Sequence, residues 1–146
     1  MAQVQAVTTR QVAAAPDVVV EAIADYAVVR PKLLPAPYSQ FAVRSGGRGA
    51  GTVAAWHLQA TEKRSRDLLV TVTQPDAATI VETDANSSMV ITWTVAPGET
   101  GAVVTVDTRW NGAGGIGGFF ERTFAPKGIN RIHDQLLANL AAHVES

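Results

Sequence analysis

The spacing of apolar residues changes period twice along this chain, and each change marks a different kind of element. Val4 to Ala13, rich in Val and Thr, reads as a first strand. Pro16 then marks a helix start, with Asp17 suited to the first turn. Val19, Ile23 and Tyr26 recur on one face, which predicts a short helix over Pro16 to Asp25. A second helix is expected over Tyr26 to Leu34, stopped by Pro31 or Pro35, followed by loop or extended chain through Pro35-Ala36-Pro37-Tyr38.

From Ser39 the period becomes two. Phe41 to Arg44 is a predicted strand, and Ser45 to Gly51, with four glycines, a flexible turn. Thr52 to Ala60 places Ala54, Trp56 and Leu58 on one face. Glu62 to Asp67 is expected as a charged hairpin tip. Leu68 to Thr73 alternates, with Leu68, Val70 and Val72 together. Pro75-Asp76 is expected as a turn and Thr79 to Thr83 as a short strand. Met89 to Val95 groups Ile91, Trp93 and Val95, and Ala102 to Trp110 groups Val104, Val106 and Trp110. About seven strands joined by short turns imply a largely antiparallel sheet.

The chain closes on a helical pattern. Ile129, Ile132, Leu136, Leu137, Leu140 and Val144 recur at three-and-four spacing, and Phe119, Phe120 and Phe124 form a bulkier patch upstream. Pro126 lies between the halves. It removes a backbone donor and disfavours helical geometry at Ala125, so a kink or break is expected there. Strand, helix pair, run of strands and long helix make an α+β layout with helices gathered on one face of the sheet. No internal repeat or linker is visible, so residues 1–146 read as one domain.

Composition narrows the function classes. A hydrophobic content of 47% with 17% charged residues is that of a globular chain. The net charge of −1 gives no electrostatic case for nucleic acid or for an anionic membrane. There are no cysteines, so disulfides, thiolate metal sites and Cys nucleophiles are excluded. Without a visible signal peptide or a bilayer-length apolar run, a cytoplasmic location and no stable membrane insertion are expected.

Candidate chemistry is sparse. Gly112-Ala113-Gly114-Gly115-Ile116-Gly117 matches G-x-G-x-x-G, but dinucleotide binding needs a second parallel strand after the helix, and here the helix runs to the end of the chain. The glycines read instead as a pliable entry to the last helix. His57, His133 and His143 have no metal-ligand spacing, so neither a metal nor a cofactor is assigned. His57 alternates with Trp56 and should face outward; His133 borders the helix's apolar face, where an ordinary hydrogen-bonded histidine is expected; His143 should be solvated. Asp107 and Arg109 read as an exposed pair of little energetic weight. Glu82 stands among apolar neighbours, either exposed or a polar anchor inside a greasy cavity. No catalytic residue is assigned.

Pro16-Asp17-Val18-Val19-Val20-Glu21-Ala22-Ile23-Ala24-Asp25-Tyr26 after a first strand resembles the opening of the START-like superfamily, the polyketide cyclase/dehydrase and lipid-transfer-like, Bet v 1-like proteins. Phe119-Phe120-Glu121-Arg122 through Phe124-Ala125-Pro126-Lys127-Gly128 and Ile132 to Leu140 resembles the closing helix of its small actinobacterial members. The resemblance implies a helix-grip fold, a curved antiparallel sheet wrapped around the C-terminal helix, with a cavity for a hydrophobic small molecule such as a lipid, fatty acyl or polyketide-like compound. The expected lining is Trp56, Leu58, Val70, Trp93, Val95, Val106, Trp110, Phe119, Phe120, Phe124, Ile132, Leu136 and Tyr38. A cyclase, aromatase or dehydratase and a toxin-like protein-interaction module are the two alternatives.

Overall fold

In the computed structural model, residues 3–61, 64–112 and 115–145 are described, with the backbone alone at 61 and 115–124. Strand β1 (Gln3–Val12) leads into helices α1 (Pro16–Ala24) and α2 (Val29–Leu33). Six strands follow: β2 (Tyr38–Ser45), β3 (Val53–Thr61), β4 (Arg64–Asp76), β5 (Thr79–Asp84), β6 (Val90–Gly98) and β7 (Gly101–Asn111). Helix α3 (Gly115–Glu145) ends the fold. The described strands form one antiparallel sheet in the order β1-β7-β6-β5-β4-β3-β2, so only β1 makes a long-range pairing, against β7. This is the helix-grip architecture expected from the sequence.

Alternation decides the sheet's two faces. In β7, Ala102, Val104, Val106, Thr108 and Trp110 are buried, while the residues between them are half-buried or exposed. In β5 the buried set is Ile80, Glu82 and Asp84, so the strand's inner face carries two carboxylates. A one-residue slip would exchange each set for its neighbours and bury the polar face, so the register is strongly specified.

Pro16 occupies the first turn of α1, and Val19, Ala22 and Ile23 form its buried face. The second helix is shorter than the expected Tyr26–Leu34. The backbone N–H groups of Tyr26 and Ala27 both donate to the Gly47 carbonyl, at 2.9 and 3.2 Å, which ties these residues to the glycine loop and delays the helix to Val29. That loop needs glycine: at Gly46, φ is +71° and a Cβ would lie 2.9 Å from the Thr52 backbone. Pro31 is accommodated in the first turn of α2, where its missing donor costs nothing.

Three further expectations are corrected. Pro126 does not break the last helix: α3 is continuous over 31 residues with the proline inside it. One missing backbone donor is outweighed by the apolar face that runs from Ile129 to Ala141, buried against the sheet. Thr8 Oγ1 also donates to Asn130 Oδ1 at 2.8 Å, Asn139 Nδ2 to the Leu33 carbonyl at 2.8 Å and the Ala13 N–H to Glu145 Oε2 at 3.0 Å, pinning α3 to β1 and α2. Pro75-Asp76 is strand, not turn; the turn falls at Ala77-Ala78. The charged hairpin tip is also shorter than Glu62–Asp67, because β4 begins at Arg64 and pairs there with Thr61.

Candidate functional site

The interior between the sheet and α3 is built mainly from the expected residues. Trp56 and Leu58 on β3, Val70 on β4, Trp93 and Val95 on β6, and Val106 and Trp110 on β7 are all buried in one core cluster with Ile132 and Leu136 of α3. Tyr38 is half-buried at the edge, its ring set edge-on to Trp56 at 6.5 Å, while Phe41 stacks on the same indole at 6.0 Å. Phe119, Phe120 and Phe124 lie outside the residues whose side chains are described.

A polar group sits inside this apolar wall: Glu82, left open by the sequence as either exposed or a polar anchor, is buried as that anchor, and Arg30, which pattern reading did not single out, lies against it. Arg30 is buried, and its Nη1 lies 2.9 Å from Glu82 Oε2. Tyr26 donates its hydroxyl to the same Glu82 oxygen, and Arg30 Nη2 donates to the Ile23 carbonyl at 3.1 Å. The guanidinium carbon lies 4.4 Å from the centre of the Tyr26 ring and 4.9 Å from the Trp93 ring, the stacking expected of a desolvated arginine. Parity contained the signal for Glu82: with Ile80 inward, Glu82 two residues on must be inward too, and a buried carboxylate requires a cation or several donors. Nothing in the periodicity of so short a helix as α2 marks Arg30 as that cation.

The electrostatics follow from burial. Burial works most strongly against the Arg30 charge, but Glu82, Tyr26 and Tyr38 together more than offset it, so the guanidinium pKa rises above its ordinary value. Burial, and then the Glu82 charge, push the Tyr26 hydroxyl well above the ordinary phenol range, so it remains a donor at neutral pH. The Tyr38 hydroxyl is also raised, by burial, with Arg30 pulling the other way. His133 is buried on α3, and burial followed by repulsion from Arg30 lowers its pKa to about 4, so the imidazole is neutral at pH 7.

Several buried donors in this interior have no hydrogen-bond partner among the described residues: the indole Nε1 atoms of Trp56, Trp93 and Trp110, and Arg30 Nε. His133 Nδ1 and Thr108 Oγ1 are also unpartnered. The hydrogen bond expected of His133 is therefore not made through Nδ1. Native interiors leave few such groups, each at a cost of about 1–3 kcal/mol, and six around one interior, four on the sheet, one on α2 and one on α3, call for a cause.

The remaining candidates lie elsewhere. His57 points to the outer face, as parity requires, and its Nδ1 lies 2.7 Å from Asp67 Oδ1. Asp107 and Arg109 form an exposed pair at 3.2 Å. Every described strand pairing is antiparallel, so the glycine run after β7 has no βαβ unit around it.

The comparisons with known proteins agree with this architecture. Residues 3–145 match the family described as polyketide cyclase / dehydrase and lipid transport, and the chain belongs to that family. The solution structure of the KanY protein is 54% identical, with a TM-score of 0.91 and complete coverage of both chains. TTHA0849 from Thermus thermophilus superposes with a TM-score of 0.73 at 19% identity, covering 98% of this chain and 97% of that one. BexL, a di-domain ARO/CYC protein of the BE-7585A biosynthetic pathway, has a TM-score of 0.77 at 16% identity, with 99% of this chain on 50% of that one. At that identity the likeness to the last two concerns the fold. No curated protein matches the sequence.

Proposed function

We infer that the chain binds a hydrophobic small molecule, a lipid, fatty acyl or polyketide-like compound, between the inner face of the sheet and α3. One observation carries this: among the described residues, indole and guanidinium N–H groups lie buried without partners in an otherwise apolar interior. A ligand that buries apolar surface there, at about 25 cal/mol per Å², and offers acceptors to those donors would offset their cost. Membership of a family described by polyketide chemistry and lipid transport supports the same conclusion.

A cyclase or dehydratase is the second candidate, favoured by the buried polar group and by the family description. The chemistry of that group weighs against it. Tyr26 and Arg30 both spend donors on Glu82, and a tyrosine whose pKa is raised is a poor proton source at neutral pH. His133, with a pKa near 4, is a weak base. A protein-interaction module would show a contiguous apolar patch, whereas the exposed large hydrophobics among the described residues, Val7, Val18 and Val28, fall on three separate segments.

The test is titration with Nile red, a neutral fluorescent probe, on the wild type and on Trp93→Phe. Saturable binding at one site, weakened in the variant, is expected. Absence of saturable binding would contradict the proposed function.

A further inference from the structure

Among the described residues the buried charges are already matched, and that restricts what the interior can accept. The described buried residues that can carry charge are Asp25, Arg30, Glu82, Asp84 and His133. Asp25 meets Arg48 at 3.1 Å. The Asp84 carboxylate accepts from the Leu69 and Asn86 N–H groups at 2.9 and 3.2 Å and from Ser87 Oγ at 2.7 Å. Arg30 and Glu82 neutralise each other, with side chains 3% and 1% exposed. Burial and the Arg30 charge keep His133 neutral at pH 7. A ligand carboxylate or ammonium placed among these groups would be a buried charge with no free counter-charge among the described residues.

The unpartnered atoms then specify the complement. An indole N–H and a guanidinium Nε–H can only donate. Arg30 and Trp93 are neighbours, 4.9 Å from guanidinium carbon to ring, while Trp56 lies on β3, three strands from β6, so the donors occupy more than one place in the interior. They ask for acceptor oxygens at more than one place along a ligand.

We propose that this interior selects an uncharged ligand bearing acceptor oxygens, such as an ester, ketone or ether, over a free carboxylate, a cation or a plain hydrocarbon of the same chain length. The proposal rests on the binding function inferred above.

Displacement of bound Nile red from the wild-type protein at pH 7 tests it with four probes that share a ten-carbon chain: methyl decanoate, sodium decanoate, decyltrimethylammonium and decane. Methyl decanoate should displace the dye at about tenfold lower concentration than each of the others. Decanoate equal to or better than the ester would overturn the charge selection and leave the binding function standing. Decane equal to or better than the ester, the ranking of a plain greasy cavity, would overturn the role of the donors. Displacement by none of the four would overturn both this proposal and the binding function. In Glu82→Gln, which leaves the Arg30 charge uncompensated, the preference should move towards decanoate. A folded variant with an unchanged ranking would overturn the matched pair as its cause. Should that variant fail to fold, the wild-type ranking decides alone.

Discussion

Arg30 Nη1 and Glu82 Oε2 meet at 2.9 Å in the interior, joining the short α2 to the middle of β5. Neither segment holds this geometry alone. Helix α2 has five residues, far too few to be stable in isolation, and Glu82 is flanked across the sheet by Val72 and Ile91. The pair therefore anchors the helical corner of the fold. Arg30→Met alone should cost about 3–5 kcal/mol, because a buried carboxylate is left without its cation. The double variant with Glu82→Leu should cost clearly less than the sum of the two single changes. Urea unfolding of the three variants checks both statements.

Helix α3 should carry much of the stability through its buried face. Leu136 is 2% exposed and belongs to the core cluster. Leu136→Ala should cost about 2–5 kcal/mol, read as a lowered urea midpoint with an unchanged slope.

His133 makes stability depend on pH with a definite sign. Its folded pKa, about 4, lies below the ordinary 6.5, so the unfolded chain binds the extra proton first. Stability is complete above about pH 6.5 and falls as the pH drops towards 4, by about 3 kcal/mol in all. His133→Gln should flatten that part of the profile. A profile with the same slope in the variant would assign the effect to other groups.

His57 behaves in the opposite sense. Its hydrogen bond to Asp67, on the outer face, raises its pKa. The stability it adds is present below about pH 6.5 and fades as the pH rises through the raised value. Asp67→Asn should bring the His57 titration, followed by NMR, back to lower pH. His57→Ala should leave Nile red affinity unchanged, since the ring points away from the interior.

Parity made most of this fold legible. Trp56, Trp93 and Trp110 could be placed inward and His57 outward from alternation alone, because a strand buried on one face leaves one choice of register. The same rule applied to Ile80 and Glu82 would have placed the carboxylate inside. Arg30 was out of reach, since its burial depends on where Gly47 captures the backbone of Tyr26 and Ala27, a contact between distant parts of the chain. The continuity of α3 through Pro126 escaped local reasoning for a similar reason. The proline's cost is local, while the packing and the bonds to Thr8, Leu33 and Ala13 that outweigh it come from elsewhere.

The most direct measurement follows the three tryptophan indole N–H signals in a proton–nitrogen NMR spectrum as methyl decanoate is added. If the interior binds a small molecule through its unpartnered donors, the Trp93 signal and at least one other indole should move downfield and saturate together, as N–H groups do on gaining an acceptor. Indole signals unmoved at saturating ligand, or shifts confined to outer-face residues such as His57, would contradict the account.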